Sequence, residues 1–261
     1  MFDFDYKKRL LGSFLLLSIL TSNAQINVRD SALAVPMIAP SLAFQIPGGD
    51  LAKQFGANMA VGINFMFKTK KNWVFGLSGD YIFGNNVRKL SMLDSIATHD
   101  NAASGFLIAS NGKLVDRHFT ENGFTTFVKL GKIIRTKFSN RNSGILLLGG
   151  VGFLEHQINI QLIDGTDQIT PQLNAEMRKG YDRLSNGIAF LQQIGYLHLS
   201  PNRMQNFFVN LELTEGFTQD RRYDYDLNQQ SKQVNTDLLW GIRAGWILPL
   251  YKRQASEFYT Y

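Results

Sequence analysis

The feature that most constrains the fold is a two-residue periodicity in the segment 236–251. Its even positions from Leu238 to Leu248 are all apolar, whereas its odd positions are small or mixed and include Arg243. Successive residues of a strand point to opposite faces. The pattern therefore predicts a β-strand with one continuously apolar face and one face that holds a charge.

Seven further segments have the character of β-strands. They cover 37–45, 58–68, 73–83, 123–136, 143–162, 187–199 and 205–218. Long connections follow the first, third, fifth and seventh strands, and short polar turns follow the second, fourth and sixth. The phase of the segments 143–162 and 187–199 stays open, because apolar residues occupy both faces of each.

The alternation of connection lengths predicts an all-β fold, an eight-stranded antiparallel up-and-down transmembrane β-barrel. Outer-membrane barrels have an even number of strands, short periplasmic turns, long external loops and an apolar outward face. Phe67, Trp73 and Tyr81 lie near strand ends, where membrane interfaces favour aromatic residues. The alternative is a soluble lipocalin-like barrel, which does not require every second connection to be long. We expect localisation in the outer membrane of a Gram-negative envelope.

The N-terminus has the features of a secretory signal peptide. Lys7, Lys8 and Arg9 precede an apolar run over 10–20, and small residues surround position 24. This run is too short for a transmembrane helix, which needs about 20 apolar residues. We predict a signal peptide over 1–24 and a barrel over 25–261, with a periplasmic tail over 251–261.

Composition excludes several classes of function. The chain has no cysteine, which excludes disulfides, thiolate metal sites and a cysteine nucleophile. The net charge of +6 includes the bases of the signal peptide, and no basic stripe is interleaved with aromatic residues, so we expect no nucleic-acid partner. We identify no catalytic, cofactor-binding or metal-binding residues.

The last strand resembles the terminal signal by which barrel-assembly machinery recognises outer-membrane proteins. The matching residues are a polar residue, a glycine and two spaced apolar residues: Arg243, Gly245, Leu248 and Leu250. The segments 23–25 and 179–183 and the aromatic tail 246–261 are similar to small outer-membrane barrels of Bacteroidota-type bacteria. PorT-like members of that group serve type IX secretion. The resemblance implies contacts with outer-membrane lipid and with the assembly machinery during biogenesis. Because the tail passes Tyr251, the assembly signal would be internal here.

The inward faces of the clear strands carry a set of polar side chains. These are Asn58, Asn64, Ser78, Asp80, Lys129, Asn210, Glu212 and Arg243. Two acids and two bases in a narrow interior are expected to pair, because an unpaired buried charge is costly. We therefore predict a lumen charge network of Asp80, Lys129, Glu212 and Arg243. Glu212 and Arg243 lie almost symmetrically about the loop 219–235, and we predict that they form an ion pair.

An enzymatic interpretation rests on His198, Ser200 and Glu212, which resemble the histidine, serine and glutamate of lipid A deacylase barrels. If the turn is centred near Asn202, Glu212 lies opposite Gln193, roughly 16 Å along the strand from His198. A catalytic triad needs contacts of roughly 3 Å. We therefore expect no enzymatic activity.

The long connections are the better candidates for binding residues, since function concentrates on loops held by a rigid scaffold. Asn111-Gly112 between apolar stretches predicts a hairpin in the connection 84–122. A short helix is predicted over 172–179. We interpret Glu155 and His156 as solvated rim residues.

These observations favour a structural or interaction subunit of the outer membrane, with a role in secretion or envelope assembly. Its external loops would contact a partner protein or a glycan. The alternative is a narrow gated pore for small solutes or ions, opened by re-pairing of the lumen charges. A lipid-modifying barrel enzyme is the third interpretation.

Overall fold

The computed structural model describes residues 32–88, 107–108, 112–137, 139–163, 178–200, 205–224 and 228–250. Its eight long strands are β1 Val35–Gly49, β2 Asn58–Lys68, β3 Trp73–Gly84, β4 Leu114–Ile134, β5 Gly144–Ile163, β6 Ser185–His198, β7 Phe207–Asp220 and β8 Val234–Trp246. Four two-residue strands are Leu107–Ile108, Tyr223–Asp224, Gln229–Gln230 and Leu248–Pro249, and the helices are a 3-10 turn at Leu51–Lys53 and α1 at Arg178–Tyr181. No helix among the described residues is long and apolar enough to cross a membrane.

The eight strands form one closed antiparallel barrel. Each strand pairs with the next, and β8 pairs with β1 in a register that places Gly245 opposite Ser41. We step from Arg243 to its partner on β1, and from each residue to its partner on the next strand, once around the barrel. This path returns to β8 beside Gln233, ten residues before Arg243 in the chain. This stagger is what tilts the strands of a closed barrel by roughly 35–45°. The predicted fold class is confirmed.

An apolar belt surrounds the outside of the barrel. Its exposed side chains alternate along every strand with buried ones, and they include Phe44, Phe65, Leu77, Val128, Phe190, Leu211 and Trp240. Exposed apolar patches on soluble monomers are much smaller than a full circumference, whereas a membrane barrel needs an outward apolar band about 25 Å tall. The structure therefore supports the membrane barrel over the lipocalin-like alternative.

Several strand boundaries differ from the predicted ones, and the largest difference is in β4. It begins at Leu114 rather than at residue 123, because its first part rises beyond the belt and lacks the outward apolar alternation. β1 extends to Gly49, whose φ of +61° ends the strand. β8 ends at Trp246, and Leu248–Pro249 forms a separate pairing with β1. The predicted signal peptide and the tail 251–261 lie outside the described residues.

Two predictions for the long connections can be compared with the structure. The hairpin is confirmed: Leu107 pairs with Val115, and Gly112 has a φ of +77°. The helix α1 overlaps the predicted helix 172–179 only at its end, and residues 172–177 lie outside the described ranges.

The lumen is organised in layers. A lower apolar cluster lies towards the short turns and includes Met37, Met66, Ile133, Leu146 and Phe208. An upper apolar cluster lies towards the long connections and includes Leu51, Phe55, Ile82, Leu154 and Ile158. The structure thereby fixes the phase of β5 and β6, with Leu146, Leu154 and Leu191 pointing inward. Between the clusters lies a layer of polar and charged side chains.

Candidate functional site

The central feature of the lumen is Arg243, which makes charge-assisted hydrogen bonds to two acids. Its Nε donates to Glu212 Oε2 at 2.7 Å, and its Nη2 donates to Glu212 Oε1 at 3.2 Å. Its Nη1 donates to the carboxylate of Asp80 and, at 3.0 Å, to Ser41 Oγ. The two-point contact between Arg243 and Glu212 is the strong geometry of an arginine–carboxylate pair. All four side chains are buried.

The backbone register explains how Arg243 and Glu212 meet. Glu212 lies opposite Gly241, and Arg243 lies opposite Asn210, so the two charged residues are diagonal rather than directly opposed. Diagonal neighbours are within reach of long side chains. A Cβ on Gly241 would lie 3.2 Å from Glu212 Cγ and 3.2 Å from Gln45 Cγ. The glycine therefore leaves the room in which the glutamate packs.

Neutral side chains complete the hydrogen bonding of this layer. Gln45 and Gln193 donate to the two oxygens of Glu212 at 3.1 Å and 2.8 Å. Lys129 Nζ donates to Asn64 Oδ1 at 2.9 Å, and Asn64 Nδ2 donates to Ser41 Oγ at 3.0 Å. Lys129 is thus joined to Arg243 through Asn64 and Ser41 rather than bonded directly to an acid. Two acids and two bases make the layer electrically neutral.

Sequence reasoning missed Ser41, Gln45 and Gln193 as members of this network. Ser41 and Gln45 lie in a proline-containing strand whose inward face was not assigned, and Gln193 lies in β6, whose phase was open. The sequence did offer an indication of their role, because each is a polar residue at about the same height on its strand as Arg243. A search for polar residues at equal height in neighbouring strands could have found them.

A second buried polar cluster lies above the first, and it corrects the interpretation of His156. His156 is only 1% exposed, and its Nε2 lies 3.0 Å from Asp237 Oδ2, which also accepts a hydrogen bond from Thr218 Oγ1. The ring of Phe55 packs edge-on against His156 at 5.7 Å. His156 is therefore a lumen residue and not a solvated rim residue. The prediction failed because the phase of β5 could not be read from its sequence.

Glu121 and Asn58 continue this upper cluster. Asn58 Nδ2 lies 3.0 Å and 2.9 Å from the two carboxylate oxygens of Glu121, and both residues are buried. Glu121 escaped the sequence analysis because it was assigned to the connection before β4. In the described part of the chain, no group of three or more histidine, aspartate or glutamate side chains could hold a metal ion.

The residues that suggested an enzyme are separated by the register. Gln193 lies opposite Glu212, as the turn arithmetic predicts, and His198 lies opposite Phe207, five positions away along β6. Glu212 is bonded to Arg243, while His198 lies on the outward face and packs against the rings of Tyr196 and Phe207. The structure does not bring His198 and Glu212 together.

The predicted assembly signal runs from Arg243 in the central layer to Gly245, Leu248 and Leu250 at the lower end of the closing seam. Arg243 and Gly245 point inward, and a Cβ on Gly245 would collide with the ring of Phe208. Leu248 and Leu250 are exposed on the outer face. Leu248 pairs with Ile38, and the backbone N–H of Leu250 donates to Pro36 O at 2.8 Å.

The upper end of the same seam is closed by Asp50. Its backbone N–H donates to Thr236 O at 2.9 Å, and its Oδ2 accepts a hydrogen bond from the Thr236 N–H at 2.9 Å. The side chain of Lys53 donates to Asp50 Oδ1 at 2.7 Å. The bonds from Lys53 and then Thr236 hold the pKa of Asp50 below its usual value.

A closed antiparallel barrel with an apolar belt and a polar layer inside is the architecture of bacterial outer-membrane barrels. The chain is an eight-stranded outer-membrane β-barrel protein. It matches no protein-family profile and no curated protein.

Its fold is similar to several solved barrels. For Ail, the attachment invasion locus protein of Yersinia pestis in complex with a heparin analogue, the match has 10% identity and a TM-score of 0.40, and covers 82% of this chain and 98% of that one. The N-terminal barrel of Pseudomonas aeruginosa OprF matches with 10% identity, a TM-score of 0.34, and coverage of 82% and 99%. AlkL matches with 10% identity, a TM-score of 0.37, and coverage of 90% and 100%.

Proposed function

We propose that this barrel is a structural or interaction subunit of the outer membrane, which acts in secretion or envelope assembly. The observation that carries the proposal is a ribbon that rises from a filled barrel. β4 pairs with β3 only as far as Glu121, and β5 pairs with β6 only as far as His156. Beyond these points β4 and β5 pair with each other, up to Asp116 opposite Ile163. The Ile158 N–H also donates to Asp182 O at 2.7 Å, and Leu114 and Val115 pair with Leu107–Ile108.

The ribbon, defined as residues 116–120 and 157–163, has two different faces. On its inner face, Phe119, Ile158 and Ile160 are buried in the upper apolar cluster. On its outer face lie polar residues, among which Asn159 Nδ2 donates to Thr120 Oγ1 at 3.3 Å. A ribbon whose inner face is packed on the barrel and whose polar face is turned away from it is suited to bind a partner protein.

The filled lumen supports an interaction role over transport. An eight-stranded barrel is just wide enough for its own side chains. The charged layer lies between two apolar clusters, and Arg243 is bonded to both acids of the layer. Opening a pore would require these charges to part in a narrow interior, which is costly. The separation of His198 from Glu212 supports a non-enzymatic role.

We expect a stoichiometric partner to co-purify with the protein from cross-linked outer membranes. The variant Asn159→Arg/Gln161→Arg adds bulk and charge to the outer face of the ribbon and should release this partner. The matched control is Gln229→Arg/Gln230→Arg, since both glutamines are exposed on another hairpin at the same end. The measurement is the partner-to-barrel ratio by quantitative mass spectrometry. Equal ratios in the ribbon variant, the control and the wild type would refute the ribbon as the contact surface.

A further inference from the structure

Two of the short turns carry charges of one sign only. The turns over 69–72 and 135–143 contain five basic residues and no acidic residue. These are Lys70, Lys71, Arg135, Lys137 and Arg141, and all five are exposed. None of the five has an ion-pair partner among the described residues. We call this set the basic turn surface.

The opposite end has a different charge pattern. There Lys53 is paired with Asp50 at 2.7 Å, and Arg221 Nε donates to Asn186 Oδ1 at 2.9 Å. Acids and bases are mixed in the sequence of the long connections. The absence of acids among the bases is therefore a feature of these two turns and not of the surface in general.

The two turns are fixed to one another by asparagines. Asn72 O accepts a hydrogen bond from the Ile133 N–H at 2.8 Å, and Asn72 Nδ2 donates to Arg141 O at 3.4 Å. Lys68 Nζ, buried between the turns, donates to Asn142 Oδ1 at 2.9 Å. These hydrogen bonds hold the backbone of the two turns in place. The basic side chains therefore project from an ordered backbone, and binding to an anionic surface would not have to order the turns first.

The position of the basic turn surface relative to the membrane indicates which molecules it contacts. Lys132 and Trp73 lie on the outer face at the lower margin of the apolar belt, and Lys132 Nζ is 5.5 Å from the centre of the Trp73 ring. Tryptophan marks the membrane interface, and lysine beside it extends its amine towards the headgroups. The turns follow directly beyond these residues, which places their bases at the depth of the headgroup phosphates.

We propose that the basic turn surface binds the phosphates of anionic phospholipids in the leaflet next to the short turns. This leaflet faces the periplasm in outer-membrane barrels. A lipid is favoured over an acidic protein because the Lys132–Trp73 pair faces the bilayer and is continuous with the turns. The bases hold the lower rim of the barrel in an anionic headgroup layer and set its depth.

The test measures lipid selectivity with the full chain in phosphatidylcholine nanodiscs. Either spin-labelled phosphatidylglycerol or spin-labelled phosphatidylcholine is added, and the fraction of each labelled lipid that the protein immobilises is measured from the electron-spin resonance spectrum. We expect phosphatidylglycerol to be favoured about fivefold or more, which is the effect of roughly one basic residue at an anionic surface. The preference should fall towards one at 1 M salt, where the screening length is about 3 Å.

Two variants separate the proposal from a general charge effect. Lys70→Gln/Lys71→Gln/Arg135→Gln/Lys137→Gln/Arg141→Gln should lose the preference, and Lys53→Gln/Lys232→Gln at the opposite end should keep it. A heat-modifiable band on gels shows that each variant is folded. Equal immobilisation of the two lipids by the wild type, or an unchanged preference in the quintuple variant, would overturn the proposal. Binding of polyglutamate by a wild type that shows no lipid preference would overturn it in favour of an acidic protein partner.

Discussion

Arg243→Met is expected to destabilise the folded barrel by about 3–5 kcal/mol, because it leaves buried charges without their partner. Arg243 is bonded to both Asp80 and Glu212, so its removal leaves two acids in the lumen. Lys129 contacts Asn64 rather than either acid, so it does not take the place of Arg243 as their partner. The measurement is equilibrium unfolding in urea from lipid vesicles, followed by the fluorescence of the lipid-facing tryptophans.

The controls follow from the shared arginine. Glu212→Gln leaves Arg243 bonded to Asp80 and should cost about 1–3 kcal/mol, the usual effect of a weakened buried hydrogen bond. Combining Arg243→Met with Glu212→Gln leaves one acid, Asp80, and one base, Lys129, and should recover much of the loss. If this double variant is as unstable as Arg243→Met alone, the loss comes from packing, and the account of the charge network is wrong.

Gly245→Asp is expected to abolish assembly of the barrel. A Cβ at this position collides with the ring of Phe208, and the added carboxylate would enter the lower apolar cluster. Burial of an unpaired carboxylate is strongly unfavourable. The change also places an acid in the predicted assembly signal. We expect no heat-modifiable band in the outer-membrane fraction, and normal insertion of this variant would contradict both reasons.

A second pair of variants distinguishes packing from recognition. Gly245→Ala should assemble poorly because of Phe208, and Gly245→Ala/Phe208→Leu should assemble better if the collision is the cause. If recognition of the glycine by the assembly machinery is the cause, the second change will not help in cells. Refolding of both variants into vesicles in the absence of the machinery then separates the two explanations.

The barrel itself was predictable because its outer face obeys one simple rule. A lipid surrounding requires apolar residues at every second position, and strands such as β2 and β3 show this with almost no exception. The rule does not apply beyond the membrane. The first part of β4 is polar on its outer side, which is why residues 116–120 of the ribbon were assigned to a connection.

The lumen was harder to predict because its contacts combine residues distant in sequence. The Glu212–Arg243 contact could be reasoned from the symmetry of one loop, since β7 and β8 are consecutive. Asp80 joins Arg243 only after the barrel closes and β8 meets β1, and one strand pair gives no indication of that closure. The His156–Asp237 contact depends in addition on the inward phase of β5, which its leucine-rich sequence did not reveal.

The measurement that tests the central claim most directly is the conductance of the purified barrel in planar bilayers. The claim is that the charged layer and the two apolar clusters fill the lumen of a folded barrel. A heat-modifiable band and protection of the barrel from protease confirm insertion, and heat-denatured protein is the control. We expect no stepwise conductance from the inserted wild type. A reproducible unit conductance that disappears on denaturation would contradict a filled lumen and would favour the gated pore.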